Sequence, residues 1–367
     1  MIKALKKSAV VSTLTLISRL LGLTRDALIA VYFGVSSQSD AFFIAFRPFD
    51  MARKLFSEGI LNISFIPIFS KTLVNEGKAK AASLIFSFFC FLTLALTLMM
   101  LFGIFFAPLI IKIIAPGFIE YSYKVQLTAI LFKIMLPYLW LILISSLCMG
   151  VLNSLGNYGI PAVAPIVFNL VVILFTIMVT TCFKTPVIGL ALGVSIGGVL
   201  QLALQIPFMI RFGILKISFF SFFHPGVIKV LKIMIPSMIG AASYQINIMA
   251  ASFFASKLES GSVSYLYYAD RLVQFPLALF AVSAAMVLLP QLSKKAAMGQ
   301  MDEIAGLFSN AVKIVFFVTI PAMAGLMALD EQIVTVIRPR SFSRISNSSN
   351  IRLSVLSKFW PVGIHWR

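Results

Sequence analysis

Charged residues interrupt the first two hydrophobic runs of the chain. Arg19, Arg25 and Asp26 lie in the first run, and Asp40 and Arg53 lie in the second. A charge near the centre of a membrane helix costs at least about 2.5 kcal/mol on insertion scales, so such residues usually face a cavity and have a function. These side chains must therefore face water, protein or an anionic ligand, because lipid does not suit them.

The polar residues of the first run share one side of the predicted helix. At about 100° per residue they fall within an arc of roughly 140°. The arc contains Ser12, Thr15, Ser18, Arg19, Gly22, Arg25 and Asp26. Two alternatives compete with a ligand site, since Arg19 could extend to the membrane surface and Arg25 could form a structural pair with Asp26. A depth of roughly 16 Å from the start of the span argues against the first alternative.

The composition is typical of a polytopic α-helical membrane protein. The mean hydropathy is +1.01, 60% of the residues are hydrophobic and 11% are charged. Long continuous apolar runs recur, whereas a β-barrel would show alternating segments of about ten residues. The net charge of +18 is interpreted as cytoplasmic loops and cations within the membrane, not as a nucleic-acid surface. Two histidines and three unpaired cysteines predict neither a metal site nor a disulfide.

Nine hydrophobic spans are predicted, each long enough to cross a core about 30 Å thick. They cover residues 8–34, 41–70, 83–111, 127–152, 160–182, 187–210, 232–256, 264–291 and 304–329. The first span follows three lysines without a small-residue cleavage site, so it is interpreted as an uncleaved helix. With the N-terminus in the cytoplasm, twelve basic loop residues face the cytoplasm and four face the other side, as the positive-inside rule requires.

Two segments recur at a constant offset of 223 residues. Residues 65–71 match 288–294, and residues 39–43 match 262–266 in the same gap-free register. Six spans separate the copies, so the repeat keeps its direction across the membrane and predicts parallel six-helix units. Such a repeat with charged cavity residues is typical of an alternating-access transporter, and chance similarity is the alternative.

The repeat and the composition together predict the domain bounds. Residues 1–211 form an N-terminal six-helix lobe, and residues 226–337 form a partial C-terminal lobe of about three helices. Residues 338–367 contain six basic residues, seven serines and no acidic residue. This tail is predicted to be disordered, and the remaining spans of a complete second lobe are missing from it.

Five short motifs are specific enough to indicate a family. They are Ser18-Arg19-Leu20-Leu21-Gly22 with Arg25-Asp26, Ser39-Asp40-Ala41-Phe42, Phe56-Ser57-Glu58-Gly59, Ala115-Pro116-Gly117-Phe118 and Tyr267-Tyr268-Ala269-Asp270-Arg271-Leu272. Over about residues 1–337 the chain resembles the MurJ (MviN) lipid II flippases of the MOP transporter superfamily. The resemblance implies an inner-membrane protein that moves the undecaprenyl-pyrophosphate-linked peptidoglycan precursor from the cytoplasmic to the periplasmic leaflet.

The resemblance also implies a fold and a set of partners. The implied fold is all-α and MOP/MATE-like, with two six-helix lobes around a cationic cavity and, in this chain, an incomplete second lobe. The implied partners are the lipid-linked precursor, the bilayer and cell-wall synthesis or division proteins, with no nucleic acid. No cofactor and no catalytic residue are implied, and the membrane potential or an ion gradient would drive transport.

The motifs assign roles to individual residues. By resemblance, the cavity arginines that would bind the pyrophosphate are Arg19, Arg25, Arg53 and Arg271. The gating or counter-ion candidates are Asp40, Glu58, Asp26 and Asp270. Arginine suits this ligand because its planar fork of donors matches the oxygens of a phosphate. We expect Asp40, near the periplasmic end, to be the gate partner of a cation or a counter-ion that helps release the pyrophosphate.

Two features depart from the family pattern. From Ile337 the chain continues into the basic tail where family members continue with further helices, so we expect a C-terminally truncated or frameshifted member. Arg47 and Asp50 occupy a segment expected to be more apolar, which leaves the helix register there open. A pair between Lys54 and Glu58 at i,i+4 is the structural alternative for those two residues, and it leaves Arg53 without a partner.

Other functions compete with lipid II transport. A truncated, non-transporting remnant would fit the missing helices, and another MOP-superfamily exporter of polysaccharides or drugs would share the fold. Drug antiporters of that kind export cations and favour acidic cavities, so the arginines argue against them. A membrane glycosyltransferase would need clustered carboxylates on loops to bind a metal, and the acidic residues are scattered. The chain is therefore not predicted to be an enzyme.

Overall fold

The computed structural model describes residues 2–56, 60–182, 185–213, 224–276 and 301–328, with five single residues between 288 and 300. Every regular element within these ranges is a helix, which confirms the predicted all-α class. The helices are α1 (Ile2–Phe33), α2 (Ser37–Leu55), α3 (Leu61–Asn75), α4 (Gly77–Ile114), a 3₁₀ helix (Pro116–Phe118), α5 (Ser122–Ser154), α6 (Gly159–Cys182), α7 (Pro186–Ala203), α8 (Ile206–Arg211), α9 (Pro225–Ser256), α10 (Ser262–Pro276) and α11 (Met301–Ala328).

Six stretches of the described residues are long and apolar enough to cross a membrane. They are Gly77–Ile114, Ser122–Ser154, Gly159–Met178, Pro186–Arg211, Pro225–Ser256 and Glu303–Gly325. The predicted count of nine is therefore not confirmed. Helix α1 covers the first predicted span without being one of the six, and the second predicted span is divided between α2 and α3. The eighth predicted span is described as a helix only as far as Pro276.

The chain forms two compact units, Met1–Ser264 and Tyr265–Arg367. In the first unit α5 packs against α2, α4 and α7, while α1 packs against α6 and α9 packs against α3. In the second unit the described helices are most of α10 and all of α11. The predicted lobe bounds stay predictions, and the predicted disordered tail lies outside the described residues.

A stack of aromatic rings fixes α2, α5 and α6 to one another in the first unit. The ring of Tyr138 on α5 stacks between Phe46 of α2 and Phe168 of α6, with centroid distances of 6.4 and 5.2 Å. Gly198 of α7 makes room for it, because a Cβ there would lie 2.6 Å from Cδ2 of Tyr138. Small residues allow membrane helices to approach closely, so this glycine sets the position of the stack.

Local sequence determines where α2 begins. Gly34 adopts a positive φ of 56° just after α1 ends, a conformation that costs glycine little. Ser36 and Ser39 then form a reciprocal capping box, in which the hydroxyl of Ser36 accepts from the N–H of Ser39 at 3.2 Å. This start places Asp40 in the first turn of α2, where the helix dipole favours a carboxylate.

Candidate functional site

Arg25 is held by a carboxylate and an amide within the first unit. Its Nε and Nη2 lie 2.9 and 2.7 Å from Oδ1 of Asp26, and its Nη1 donates to Oδ1 of Asn169 at 3.0 Å. Asn169 in turn donates to the carbonyl oxygen of Ser18 at 3.1 Å, which ties α6 to α1. Both charged side chains are largely buried, with 11% and 7% exposure. The Arg25–Asp26 pair weighed in the sequence analysis is therefore present, and Asn169 fixes the orientation of its guanidinium.

A second charged group lies on the last turns of α2. Asp50 accepts from Nη2 of Arg53 at 2.9 Å and pairs with Nζ of Lys54 at 3.1 Å. The expectation that Arg53 lacks a partner is wrong, because Asp50 stands one helical turn before it. Lys54 also pairs with Asp50, and Glu58, its predicted partner, lies outside the described residues. The helix continues through Arg47 and Asp50, which settles the register there.

Tyr138 of α5 lies near both of these charged groups. Its side chain is fully buried, and its hydroxyl lies within electrostatic range of Arg53, Asp50 and Arg25. We call Arg25, Asp26, Asp50, Arg53 and Lys54 the arginine cluster. Three cations and two carboxylates leave this cluster with an excess of positive charge, so an anion would be attracted to it. Arg19 lies six residues before Arg25 on α1 and is partly exposed.

Asp40 is the most completely bonded carboxylate among the described residues. Its Oδ2 accepts from Nζ of Lys124 at 2.9 Å and from the N–H of Gly261 at 2.6 Å. Its Oδ1 accepts from the N–H and the hydroxyl of Ser264 at 2.9 and 2.6 Å. The side chain of Asp40 is 1% exposed, and such burial of a carboxylate requires this number of donors. We call Asp40, Lys124, Gly261 and Ser264 the Asp40 cluster.

A series of serines at four-residue spacing continues this contact from the end of α9 into the start of α10. Ser252 accepts from Nε of Arg47 at 3.0 Å, and Ser256 accepts from the N–H of Gly117 at 3.2 Å. The next member, Ser260, accepts from Nζ of Lys124 at 3.4 Å, and the fourth is Ser264 of the Asp40 cluster. The serine series therefore accepts hydrogen bonds from α2, from the 3₁₀ helix and from the start of α5.

Gly117 is the closest backbone approach in this contact. A Cβ added to it would lie 2.0 Å from the carbonyl oxygen of Ser256 and 2.6 Å from the Cα of Lys257. Backbone atoms cannot move aside as a flexible side chain can, so glycine is required here. The Ala115-Pro116-Gly117-Phe118 motif thus has a physical reason in the packing against the end of α9.

Arg271 lies in the second unit, beside tyrosine and glutamine side chains of its own helix. Its Nε and Nη2 lie 3.2 and 3.0 Å from the hydroxyl oxygen of Tyr267, and its guanidinium lies 5.1 Å from the centroid of that ring. Its Nη1 donates to Gln274 at 3.4 Å, and Gln274 donates to Asp270 at 2.5 Å. The aromatic face and the amide orient the guanidinium along α10.

The amino-acid sequence is similar to that of known proteins. The family model described as "Lipid II flippase MurJ" matches residues 29–352 and so continues past Ile337. A probable lipid II flippase MurJ of Vibrio cholerae is 34% identical over the whole chain, which covers 73% of that relative. A probable lipid II flippase MurJ of Buchnera aphidicola from Acyrthosiphon pisum is 37% identical, with 91% of this chain and 65% of the relative covered. The chain belongs to the MurJ lipid II flippase family.

Solved structures agree with this assignment. A lipid II flippase MurJ in an inward closed conformation matches with a TM-score of 0.77 at 29% identity, covering 90% of this chain and 68% of that one. An inward-facing multidrug resistance MATE transporter of the MOP superfamily matches with a TM-score of 0.71 at 14% identity, covering 90% of this chain and 75% of that one. The second likeness shows the fold alone. Together they confirm the MOP-type architecture predicted from the sequence.

Two residues that bind the predicted site residues, Lys124 and Asn169, were not predicted from the sequence. Lys124 lies between the third and fourth predicted spans and is one of the four basic loop residues assigned to the non-cytoplasmic side, although its side chain is 7% exposed and binds Asp40. Asn169 is a single polar residue in the apolar helix α6, and that contrast is a signal that could have revealed it. Among the described residues no group of three or more His, Cys, Asp or Glu side chains could hold a metal ion.

Proposed function

We propose that this chain flips lipid II, the lipid-linked peptidoglycan precursor, from the cytoplasmic to the periplasmic leaflet by alternating access. The observation that carries the proposal is the match to the MurJ family over residues 29–352. The chain spans 62–73% of the length of several curated relatives that it matches, so the activity of the whole protein is here a proposal for this chain. The likeness to a lipid II flippase in an inward closed conformation supports the same mode of action.

The arginine cluster supports binding of the pyrophosphate. Asp26 and Asp50 offset two of its three positive charges inside the membrane when no substrate is present, which lowers the cost of burying them. A pyrophosphate carries its negative charge on oxygens whose spacing matches the planar donors of a guanidinium. It therefore competes with these carboxylates for those donors. We therefore propose that Arg19, Arg25 and Arg53 bind the pyrophosphate. On the strength of its motif, Arg271 is also proposed to bind the pyrophosphate.

Orientation follows from the same proposal. A cytoplasmic N-terminus agrees with the bias of twelve basic loop residues against four. Helix α1 has 32 residues and is about 48 Å long, enough to carry the chain across the membrane. The start of α2 and the Asp40 cluster then lie at the periplasmic end. The Asp40 cluster and the serine series then form the periplasmic gate in its closed state. The gate opens toward the periplasm only after these contacts break.

A rescue experiment tests the proposed function. The native flippase of a bacterium is depleted, and the 367-residue chain is expressed in its place, with its level in the membrane measured. Growth and transfer of lipid II to the periplasmic leaflet should recover, and Arg25→Ala should abolish both because the pyrophosphate loses a bidentate partner. Arg271→Ala should do the same.

The matched control is Arg211→Ala, which removes an exposed arginine at the end of α8. It should rescue as well as the unchanged chain. Rescue that survives Arg25→Ala at equal membrane level would contradict the role of the arginine cluster. Insertion of the unchanged chain without any transfer of lipid II would contradict the proposed function itself.

A further inference from the structure

Lys124 is the one cation of the Asp40 cluster, and three contacts fix its ammonium group. Nζ donates to Oδ2 of Asp40 at 2.9 Å and to the hydroxyl of Ser260 at 3.4 Å. It also lies 4.1 Å from the centroid of the Phe118 ring, within the range of a cation–π contact. With 7% of its side chain exposed, Lys124 is not an ordinary loop lysine.

The bonds of Asp40 divide by their place in the chain. Lys124 and Phe118 precede residue 211, as Asp40 does, and so fall in the predicted N-terminal six-helix lobe. Gly261 and Ser264 follow residue 225 and fall in the predicted C-terminal lobe. If the two lobes separate at this end during transport, the donors from Gly261 and Ser264 leave Asp40 together, and the ammonium of Lys124 remains.

We propose that Lys124 is the positioning residue that keeps the Asp40 carboxylate paired when the gate opens, an inference that rests on the proposed alternating-access function. Phe118 holds the ammonium on the side of Asp40, so it does not follow Ser260. Lys124 thereby makes opening possible, because a buried carboxylate that lost all its donors at once would hold the gate shut.

Removal of Lys124 has opposite consequences for the two gate states. In the closed state Asp40 still accepts three hydrogen bonds, from Gly261 and from Ser264 twice. In the open state it would have no donor from the Asp40 cluster, so the closed state is favoured. If the carboxylate is also replaced by the neutral amide in Asp40→Asn, no anion is stranded and the penalty disappears.

The test measures opening by labelling of a thiol. Cys90, Cys148 and Cys182 are replaced by alanine, and Ser256→Cys introduces a reporter whose side chain packs against Gly117 in the closed contact. A charged, membrane-impermeant maleimide is added from the periplasmic side of intact cells, and the labelling rate is compared at equal membrane level. Lys124→Met should lower the rate about tenfold, and Lys124→Arg should stay within about twofold of the unchanged chain.

Combination with Asp40→Asn separates gating from a merely structural role. The Lys124→Met, Asp40→Asn double variant should label at least as fast as Asp40→Asn alone, because it leaves neither a buried anion nor the buried ammonium of Lys124 without its ion-pair partner. This comparison holds even where Lys124→Met alone does not accumulate. A lower rate in the double variant than in Asp40→Asn alone would overturn the inference, as would an unchanged rate for Lys124→Met. Labelling needs no lipid II, so failure of the proposed function leaves this result interpretable.

Discussion

The arginine cluster and the Asp40 cluster use similar ion pairs but differ in where the partners come from. In the arginine cluster the pairs are local, since Asp50 binds Arg53 three residues further along the same helix. In the Asp40 cluster the partners are distant, and the N–H of Gly261 is 221 residues away from Asp40. Both sites compensate a buried carboxylate fully, so the difference lies in connectivity and not in chemistry.

That difference supports different proposed roles for the two sites. A pair within one helix survives any rigid movement of that helix, so the arginine cluster keeps its charge in every state and is suited to binding an anion. A bond between residues of different helices is lost when those helices move apart. The Asp40 cluster is therefore suited to distinguishing a closed state from an open one, as a two-state gate requires.

The largest effect is expected at Gly117, where the distant contact is tightest. In Gly117→Ala the added methyl group would lie 2.0 Å from the carbonyl oxygen of Ser256, and neither backbone can give way without separating. The closed contact should not form, and rescue of a flippase-depleted strain should be lost at normal membrane level. The arginine cluster, whose bonds are local, should be unaffected.

A matched glycine variant controls for the substitution. Gly240→Ala lies within α9, where an added Cβ meets nothing within 4 Å, and alanine favours a helix over glycine by about 1 kcal/mol. This variant should rescue fully. Rescue by Gly117→Ala equal to that by Gly240→Ala would break the distinction between the two sites.

The next largest effect is expected at the local ion pair of Arg25 with Asp26. Asp26→Asn leaves Arg25 with Asn169 but without its carboxylate, and loss of one partner from a buried pair costs about 3–5 kcal/mol. The melting temperature in detergent should fall. Added inorganic pyrophosphate should raise the melting temperature of this variant more than it raises that of the unchanged protein. Gate labelling at Ser256→Cys should not change, because no distant bond is lost.

Glu76→Gln is the control for this loss of a carboxylate. Glu76 pairs with Lys80 at 3.2 Å, but the side chains are 49% and 69% exposed, and such a pair contributes at most about 1 kcal/mol. Pyrophosphate should not distinguish Glu76→Gln from the unchanged protein. An equal gain for both variants would show that the anion does not bind at the arginine cluster.

The same contrast explains what the sequence could predict. The charges at Arg19, Arg25 and Asp40 stand out because a bilayer penalises them, so candidate sites and the helical class are readable from one sequence. The pair of Asp50 with Arg53 also follows a helical spacing and was within reach. The partnership of Asp40 with Lys124 and Gly261 depends on packing between helices, and no spacing in the chain encodes it.

A smaller effect is expected from a single distant bond. Arg47 donates from Nε to Ser252 at 3.0 Å, and a hydrogen bond to a charged group contributes about 1.5–3 kcal/mol. Ser252→Ala should weaken the closed gate and raise labelling of the Ser256→Cys reporter. Arg47→Lys should raise it as well, since lysine has no Nε donor in that position.

A double-mutant cycle decides whether the two changes act through one bond. If they do, the combined variant should label no faster than the more affected single variant, with a coupling free energy of about 1 kcal/mol or more. Additive effects would mean that Arg47 and Ser252 influence the gate separately. The serine series would then be a packing surface, and Asp40 alone would carry the long-range contact.

The smallest effect is expected at the start of α2, where local structure positions a distant contact. Ser36→Ala removes the hydroxyl that accepts from the N–H of Ser39, and loss of such a cap costs about 1 kcal/mol. The melting temperature should fall slightly, while Ser37→Ala, one residue further into the helix, should leave it unchanged. Gate labelling should respond only in proportion to this loss, because Asp40 keeps all four donors once the helix has formed. A change in labelling as large as that of Arg47→Lys would show that the cap itself belongs to the gate, and the separation of local from distant contacts would then fail at Asp40.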